Sequence, residues 1–326
     1  MPMKAILCKQ YGAPSVLHVG EVSKPVPKPN EILIRVRAAE ATKADCEMRA
    51  FKFAVKWFWL PLRLAMGITK PRNPVLGGYF AGEVEALGEQ VTNFSVGDQI
   101  FGSTQMRFGA YGQYVCLPAS YTLVKKPSNV SFEQAAAVPL GGLNALHFLS
   151  KANIKPGDKV LINGSGGSIG SFALQIAKHW GAHVTAVDIG FKENFIRSLG
   201  ADEFIDYTKT DFTRNGISYD VIFDMVPNSS FEGCIASLVP NGVYLIGNPR
   251  LTDLLKANIK RYGKGRAVHV AFARETLEEL TTLKNMIEAE AIMPAVGKVY
   301  RIGQAAEAHM RVETERRLGS VVLTIS

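Results

Sequence analysis

The sequence has few cysteines and no long hydrophobic run. Its four cysteines lie far apart, without a Cys-x-x-Cys pair or a matching histidine cluster, so neither a zinc site nor a disulfide framework is indicated. The N-terminus lacks the apolar stretch of a signal peptide, which by default places the protein in a reducing cytoplasm. The most apolar window, Trp57 to Ile68, covers 12 residues and contains Pro61 and Arg63. It is too short to span a bilayer, and it is either a loop that touches a membrane or a loop or short helix packed near a cleft.

Basic residues are in modest excess. The chain has 37 Lys and Arg against 29 Asp and Glu, which gives a net charge of +8. Such a balance is compatible with binding nucleic acid or an acidic membrane surface, but no polybasic block supports either partner, apart from the loose run Lys256 to Arg266. A phosphate-bearing cofactor or a solvated surface explains the charge more economically, and we do not expect a nucleic-acid partner.

The order of strand and helix patterns divides the chain into two parts. With 326 residues, of which 47% are hydrophobic, two domains are the default expectation. Residues 1–125 contain short β-rich runs separated by Gly and Pro, which predict a β-sheet domain. Residues 126–269 begin with a helical pair and continue as apolar strands alternating with helices, which predicts an α/β unit with a doubly wound parallel sheet. We expect residues 270–326 to complete the first domain, and we expect ligands to bind in a cleft between the two domains.

The strongest local signal is a glycine-rich turn between a strand that starts at Lys159 and a helix that ends near Trp180. Glycines let the backbone approach a pyrophosphate closely, and the amides at the start of the following helix favour its negative charge. In the Gly-x-Gly-x-x-Gly pattern, Ser165 takes the first position, with Gly167 and Gly170 in the other two. The residues predicted to contact the pyrophosphate are Ser165, Gly166, Gly167, Ser168 and Ile169. The alternative is a tight strand-to-helix turn without a ligand.

An acidic residue bears on the choice of cofactor. Asp188 ends the next strand, 18 positions after Gly170, which is near the roughly 20 positions expected of a carboxylate that binds a ribose. Such a carboxylate accepts hydrogen bonds from the adenosine ribose but repels a 2′-phosphate, so NAD(H) is favoured. Lys192 offers a positive charge that would compensate the Asp188 carboxylate, so NADP(H) remains the alternative cofactor. The alternative for Asp188 is a solvated turn residue.

Longer segments resemble one superfamily over nearly the whole chain. The segments that carry the resemblance are Pro74 to Gly102, Phe108 to Pro118, Ala135 to Leu146, Lys155 to Lys178, Ser198 to Tyr207 and Gln304 to Ile325. They resemble the medium-chain dehydrogenase/reductase superfamily, and within it the zinc-free quinone oxidoreductase-like branch. The resemblance implies a GroES-like substrate domain, a Rossmann domain and hydride transfer from a nicotinamide. It also implies a homodimer paired through the Rossmann edge strand, for which residues 267–272 are the candidate.

The resemblance also bears on metal and substrate. Zinc-dependent relatives have a Gly-His-Glu motif where this sequence has Gly78 and Tyr79 in place of His-Glu, and they have a four-cysteine lobe that is absent here. We therefore expect Cys46 to be a buried or cleft-lining thiol, and we predict no metal. Without a Lewis acid, proton removal from an alcohol is difficult, so the resemblance favours hydride delivery to electron-poor acceptors such as quinones and α,β-unsaturated carbonyls.

Candidate residues follow from the same resemblance. Thr42, Lys43 and Asp45 lie where the family usually has Asn-Pro-x-Asp, and Tyr79 lies where quinone oxidoreductases often have Asp. A hydrogen bond to the substrate oxygen could come from Tyr79, Thr42 or Lys43. Ordinary packing of Tyr79 and a local turn hydrogen bond of Asp45 are the alternatives. The cofactor candidates are Asn144, Ile246 and Asn248 at the nicotinamide end and Tyr207 near the adenosine, and each of them could instead be structural.

Three functions compete at this point. The leading one is a zinc-independent NAD(P)H-dependent reductase of quinones or activated enones. A metal-free alcohol or aldehyde dehydrogenase would need a group that abstracts a proton, which the sequence does not show. A non-catalytic NAD(P)-binding sensor would keep the Rossmann site and contact RNA through the basic run 256–266.

Overall fold

The structure is a computed structural model that describes residues 1–53, 59–226, 229–257, 262–270 and 274–325. The chain divides into two compact units: Met1–Pro139 with Glu275–Glu288 and Pro294–Ser326, and Leu140–Arg274 with Ala289–Met293. Within the described ranges it forms fifteen strands: β1 (Pro2–Cys8), β2 (Leu17–Ser23), β3 (Glu31–Glu40), β4 (Tyr79–Leu87), β5 (Gln99–Ser103), β6 (Tyr114–Pro118), β7 (Leu123–Lys125), β8 (Lys159–Asn163), β9 (His183–Asp188), β10 (Glu203–Asp206), β11 (Tyr219–Asp224), β12 (Leu238–Ile246), β13 (Ala267–Val270), β14 (Val296–Arg301) and β15 (Ser320–Thr324).

The same ranges contain ten α-helices: α1 (Lys43–Ala50), α2 (Trp59–Met66), α3 (Phe132–Ala136), α4 (Val138–Leu149), α5 (Ser168–His179), α6 (Glu193–Ser198), α7 (Phe231–Ala236), α8 (Leu251–Ala257), α9 (Leu277–Glu288) and α10 (Ala305–Glu313). None of these described helices is both long enough and apolar enough to cross a membrane.

The first unit is built on β-sheets, as the short β-rich runs predict. β1 and β2 form an antiparallel ribbon, and seven further strands form a sheet in the order β14-β15-β3-β4-β5-β7, with β6 paired to β3. β3 lies inside this sheet, and nearly all of its residues are buried, including Ile32, Ile34 and Val36. The strands β2 and β7 have weak sequence patterns, since β2 is mostly exposed with little alternation and β7 has only three residues.

Chain segments on both sides of the second unit contribute to the first. β15 pairs antiparallel with β3, and β14 pairs parallel with β15. The first unit also extends past residue 125, where the sequence pattern changes, as far as Pro139, since α3 packs against β3 and β4.

The second unit contains the predicted doubly wound sheet. Its six strands are all parallel and follow the order β10-β9-β8-β11-β12-β13. The apolar runs Val160 to Ile162 and Val221 to Phe223 are almost fully buried, as expected of strands covered on both faces. The order reverses between β8 and β11, and in such sheets ligands bind beside the carboxyl ends of the strands at this reversal.

Candidate functional site

The glycine-rich turn joins β8 to α5 at that reversal. Gly164 has a φ of +89°, a left-handed conformation that favours glycine, and its N–H donates to Val187 O. A Cβ on Gly170 would lie 2.3 Å from Gly164 O, so this position must be glycine for α5 to pack against the turn. α5 begins at Ser168 after Gly167, which has no side chain to cap the first turn of the helix. The start of α5 therefore has the geometry that binds a phosphate group through backbone amides.

The five predicted pyrophosphate contacts divide into two groups. The N–H and hydroxyl of Ser165 both donate to Val187 O, at 3.2 Å each, and the N–H of Gly166 donates to Asp188 Oδ2 at 2.8 Å. These groups hold the turn on β9. Gly167, Ser168 and Ile169 lie at the start of α5, where the N–H of Gly167 donates to Gly164 O at 3.4 Å and the first N–H groups of the helix have no partner four residues earlier in the helix.

Asp188 and Lys192 form a buried ion pair against the turn. Their side chains are 7% and 6% exposed, and Lys192 Nζ lies 3.0 Å from Asp188 Oδ1. The N–H of Ile189 also donates to Asp188 Oδ1, at 2.8 Å. A Cβ on Gly166 would lie 2.6 Å from Lys192 Cδ and 2.9 Å from Asp188 Oδ2, so a larger residue here would displace the pair. Asp188 is therefore not a solvated turn residue, and its charge is neutralised within the protein.

The remaining cofactor candidates lie near the carboxyl ends of the same strands or on α4. Asn144 is on α4 and donates from Nδ2 to Leu140 O at 2.8 Å. In the same helix, a Cβ on Gly141 would lie 2.7 Å from Ser168 O, so α4 packs closely on the start of α5. Ile246 ends β12 and is buried, whereas Asn248 is exposed and donates to Met225 O.

Tyr207 follows β10 and is 56% exposed, with its N–H donated to Asp188 O. It is therefore held beside the Asp188 backbone, and its ring is accessible.

A buried polar network beside the turn was not predicted from the sequence. The carboxylate of Asp224, at the end of β11, accepts hydrogen bonds from Asn163 Nδ2 at 3.0 Å, Tyr244 Oη at 2.9 Å and the N–H of Val226 at 2.9 Å. Burial raises the pKa of Asp224. The network fixes the loop after β11, and its only signal in the sequence is an acidic residue directly after an apolar strand.

In the first unit, Thr42 and Asp45 form a reciprocal cap at the start of α1. Asp45 N–H donates to Thr42 Oγ1 at 3.0 Å, and Thr42 donates to Asp45 Oδ2 from its N–H at 3.1 Å and from its hydroxyl at 2.6 Å. The second carboxylate oxygen accepts the N–H of Gly77, just before β4, at 3.2 Å. Asp45 is fully buried, which raises its pKa. The structure therefore joins Thr42, Asp45 and the start of β4, and the polar atoms of Asp45 are engaged within the protein.

Tyr79 and Lys43 have carboxylate partners that sequence reasoning missed. The hydroxyl of Tyr79 donates to Glu275 Oε1 at 2.6 Å, and Glu275, with a φ of +46°, is held by a hydrogen bond from Thr122 to its carbonyl. Burial, together with the Glu275 carboxylate, raises the pKa of Tyr79 well above its ordinary value. Lys43 lies at the surface and pairs with Glu315 at 2.9 Å, so it is not drawn into the same group.

A buried chain of side chains continues from Asp45. Tyr111 is hydrogen-bonded to Asp45, and its hydroxyl lies 3.1 Å from His309 Nε2, while His309 Nδ1 lies 3.4 Å from Cys46 Sγ. The Cys46 thiol also donates to His309 O at 3.7 Å, and the donor and acceptor roles of the two imidazole nitrogens depend on the tautomer. Burial lowers the pKa of His309 to about 3 and raises that of Cys46 to about 12, so both groups are neutral at ordinary pH.

The sequence and the fold match known oxidoreductases. Residues 28–128 match the alcohol dehydrogenase GroES-like domain, and residues 199–323 match the family called zinc-binding dehydrogenase. A quinone oxidoreductase from Sus scrofa is 32% identical over 94% of this chain and 93% of its own length. The chain belongs to the quinone oxidoreductase-like branch of the medium-chain dehydrogenase/reductase superfamily.

Two further relatives extend the comparison. The structure of the quinone oxidoreductase from Coxiella burnetii is 28% identical, covers all of both chains and superposes with a TM-score of 0.87. A 2-methylene-furan-3-one reductase from Solanum lycopersicum is 33% identical over 69% of this chain and 57% of its own length. Family membership confirms the predicted GroES-like and Rossmann folds. The protein is a medium-chain oxidoreductase that uses a nicotinamide cofactor and acts on a small molecule.

The zinc in the name of the second family does not fit the side chains present. Gly78 and Tyr79 offer no metal ligand, and Cys46 meets a single imidazole, His309, whose other nitrogen is bound to Tyr111. Across the described ranges, no group of three or more His, Cys, Asp or Glu residues could hold a metal ion.

Three sequence hypotheses fall partly outside the described residues. Positions 57–58 of the apolar window, 258–261 of the basic run and 271–272 of the candidate dimer strand are among the residues that the structure does not describe.

Proposed function

We propose that the protein is a zinc-independent reductase that transfers hydride from NADH to quinones. The observation that carries the proposal is the glycine-rich turn, in which the N–H of Gly166 donates to the carboxylate of Asp188. The chain that contains this turn aligns with quinone oxidoreductases over nearly its full length. A carboxylate at this position is the acceptor that an adenosine ribose requires. NADPH is the second candidate, because Lys192 neutralises the carboxylate that would otherwise repel a 2′-phosphate.

Residues of the second unit have the chemistry to hold the cofactor. We propose that the amides of Gly167, Ser168 and Ile169 bind the diphosphate, and that Asp188 binds the adenosine ribose beside Tyr207. Asn144, Ile246 and Asn248 are proposed to border the nicotinamide. When bound, the cofactor supplies the hydride, and the protein supplies its binding and orientation.

In the first unit, the side chains are proposed to shape and orient the substrate rather than to deliver a proton. The hydroxyl protons of Tyr79 and Thr42 are both donated to carboxylates, and the pKa of Tyr79 is raised, so proton loss to a substrate oxygen is disfavoured. Lys43 is engaged by Glu315 at the surface. We therefore propose water as the proton source, with Asp45 as a positioning residue for Thr42 and the start of β4.

α,β-Unsaturated carbonyls are the second substrate class. The name of the similar Solanum lycopersicum enzyme describes reduction of a 2-methylene-furan-3-one. An enone and a quinone both accept hydride at an electron-poor carbon, and the developing charge in both cases lies on oxygen. The same residues therefore serve either acceptor.

A homodimer remains our prediction for the assembly. β13 ends the described strand order of the parallel sheet, and an edge strand presents backbone groups that pair with another strand. Sedimentation of the purified chain at several concentrations tests this prediction, with a single monomeric species as the result that opposes it.

The proposed activity is tested by following the near-ultraviolet absorbance of NADH with 9,10-phenanthrenequinone or an alkenal as acceptor. We expect oxidation of NADH that depends on the acceptor and continues after chelation of metal ions. Reduction of NAD by alcohols, with no quinone or alkenal turnover, would instead establish a dehydrogenase. Tight NADH binding without turnover of any acceptor would refute the proposal.

A further inference from the structure

The helix α2 is fixed to the first unit by one of its faces. The guanidinium of Arg63 lies 4.3 Å from the ring centre of Tyr11 and 4.1 Å from that of Phe51. Tyr11 Oη also donates to Gly67 O, directly after the helix, and Met66 packs against the core of the unit. These contacts define the inner face of α2 and fix which side chains point away from the protein.

The outer face of α2 is apolar. Leu60, Leu64 and Ile68 follow one another at intervals of four residues and are 61%, 53% and 62% exposed. Residues four apart lie on the same side of a helix, so Leu60 and Leu64 form a stripe on α2, and Ile68 adds a third exposed apolar side chain after Gly67, whose φ of +122° ends the helix. Isolated exposed apolar residues are ordinary, but three of them within nine residues, beside a well-anchored face, indicate a surface that meets an apolar phase.

The charged residues in the sequence around α2 are all basic, although one of them, Arg49, is buried and paired with Glu313. Between Glu47 and Glu83 the chain contains no acidic residue, although 29 occur in the whole sequence, and it contains six Lys and Arg. Lys52, Lys70 and Arg72, which flank α2, are exposed. Apolar side chains bordered by basic ones, with no acidic group between, are the pattern of helices that lie on negatively charged lipid surfaces.

We propose that the outer face of α2, continued by Ile68 and bordered by Lys52, Lys70 and Arg72, docks on the surface of an anionic lipid bilayer. The apolar stripe enters the boundary between headgroups and acyl chains, and the basic side chains meet the lipid phosphates. The contact is peripheral, because α2 has eight residues. It does not depend on the identity of the substrate or the cofactor.

The test is flotation of the full-length protein with vesicles of phosphatidylcholine alone or mixed with phosphatidylglycerol. The wild type should float with the mixed vesicles only, and salt raised from about 0.02 M to about 0.5 M should release it. Replacing Leu60, Leu64 and Ile68 together by Ser should lower the partition coefficient at least about tenfold. Lys70→Gln with Arg72→Gln should lower it by about fivefold per residue, and these exposed substitutions keep the test valid if the triple variant does not fold.

Matched controls lie elsewhere on the surface. Leu255→Ser removes an apolar side chain that is 67% exposed, and Lys264→Gln with Lys298→Gln removes two exposed charges; none of these should change flotation. Equal binding to neutral and mixed vesicles, or unchanged binding of both variants at α2, would overturn the proposal. A change of oligomeric state caused by the stripe variant without vesicles would overturn it too, because it would show that a second copy of the chain covers this face.

Discussion

Removing one partner of the buried pair Asp188–Lys192 should change the choice between NADH and NADPH. The pair lies against Gly166, and for a 2′-phosphate bound at the ribose position we assume a separation of about 5 Å from the Asp188 carboxylate. At that distance and an effective dielectric constant of about 20, two unit charges interact by about 3 kcal/mol. This corresponds to about two orders of magnitude in a dissociation constant.

We therefore expect Lys192→Met to raise the dissociation constant for NADPH about 100-fold and to change that for NADH by less than about threefold. Asp188→Asn should act in the opposite direction, by tightening NADPH and weakening NADH. Fluorescence titration with each nucleotide measures the effect, and Lys284→Met, which breaks an exposed pair of the same four-residue spacing with Glu288, should leave both constants unchanged. A parallel rise of both constants in Lys192→Met would refute the reasoning, since it would show that Lys192 only supports the turn.

Three further substitutions test the fold around the sites. Burial lowers the pKa of His309 to about 3, so between that pH and about 6.5 the unfolded state binds a proton that the folded state does not. The free energy of unfolding of the wild type should therefore fall by about 1.4 kcal/mol for each pH unit below about 6.5. His309→Asn should remove this contribution, which urea titrations over that pH range would measure. Gly170→Ala should cost at least about 2 kcal/mol and weaken NADH binding, whereas Gly263→Ala, where a Cβ meets nothing within 4 Å, should do neither. The Arg49 guanidinium is fully buried, whereas its partner Glu313 is 39% exposed, so solvent screens part of their interaction and Glu313→Gln should cost about 2 kcal/mol. Glu315→Gln, whose lysine partner is exposed, should cost less than about 1 kcal/mol, and equal costs in thermal unfolding would contradict the role of Arg49 burial.

The parts of the site that the sequence predicts are those made by neighbouring residues. The turn from Gly164 to Gly170 and the carboxylate of Asp188 belong to one strand–helix–strand unit, so spacing and residue type are sufficient to locate them. The apolar strands β8 and β11 are recognisable for the same reason, because burial on both faces leaves a continuous hydrophobic run.

The partners of the first-unit residues come from distant segments and leave no local pattern. Glu275 is 196 positions from Tyr79, and His309 is 263 positions from Cys46. A lone Glu or His in a helical or loop sequence is ordinary, so only the fold shows that these residues meet. The sequence suggests Tyr79 as a hydrogen-bond donor to the substrate because nothing near it in the chain indicates another acceptor. In the structure its hydroxyl donates to Glu275.

The position of β15 in its sheet has a consequence for synthesis on the ribosome. β15 lies between β14 and β3, yet it follows the whole of Leu140–Arg274 in the chain. The second unit therefore leaves the exit tunnel before β15 does, and it can acquire its structure while the edge of β3 is still unpaired. We expect the half that is translated first to finish folding last, and a chaperone that protects nascent chains would meet the exposed backbone of β3 during that interval.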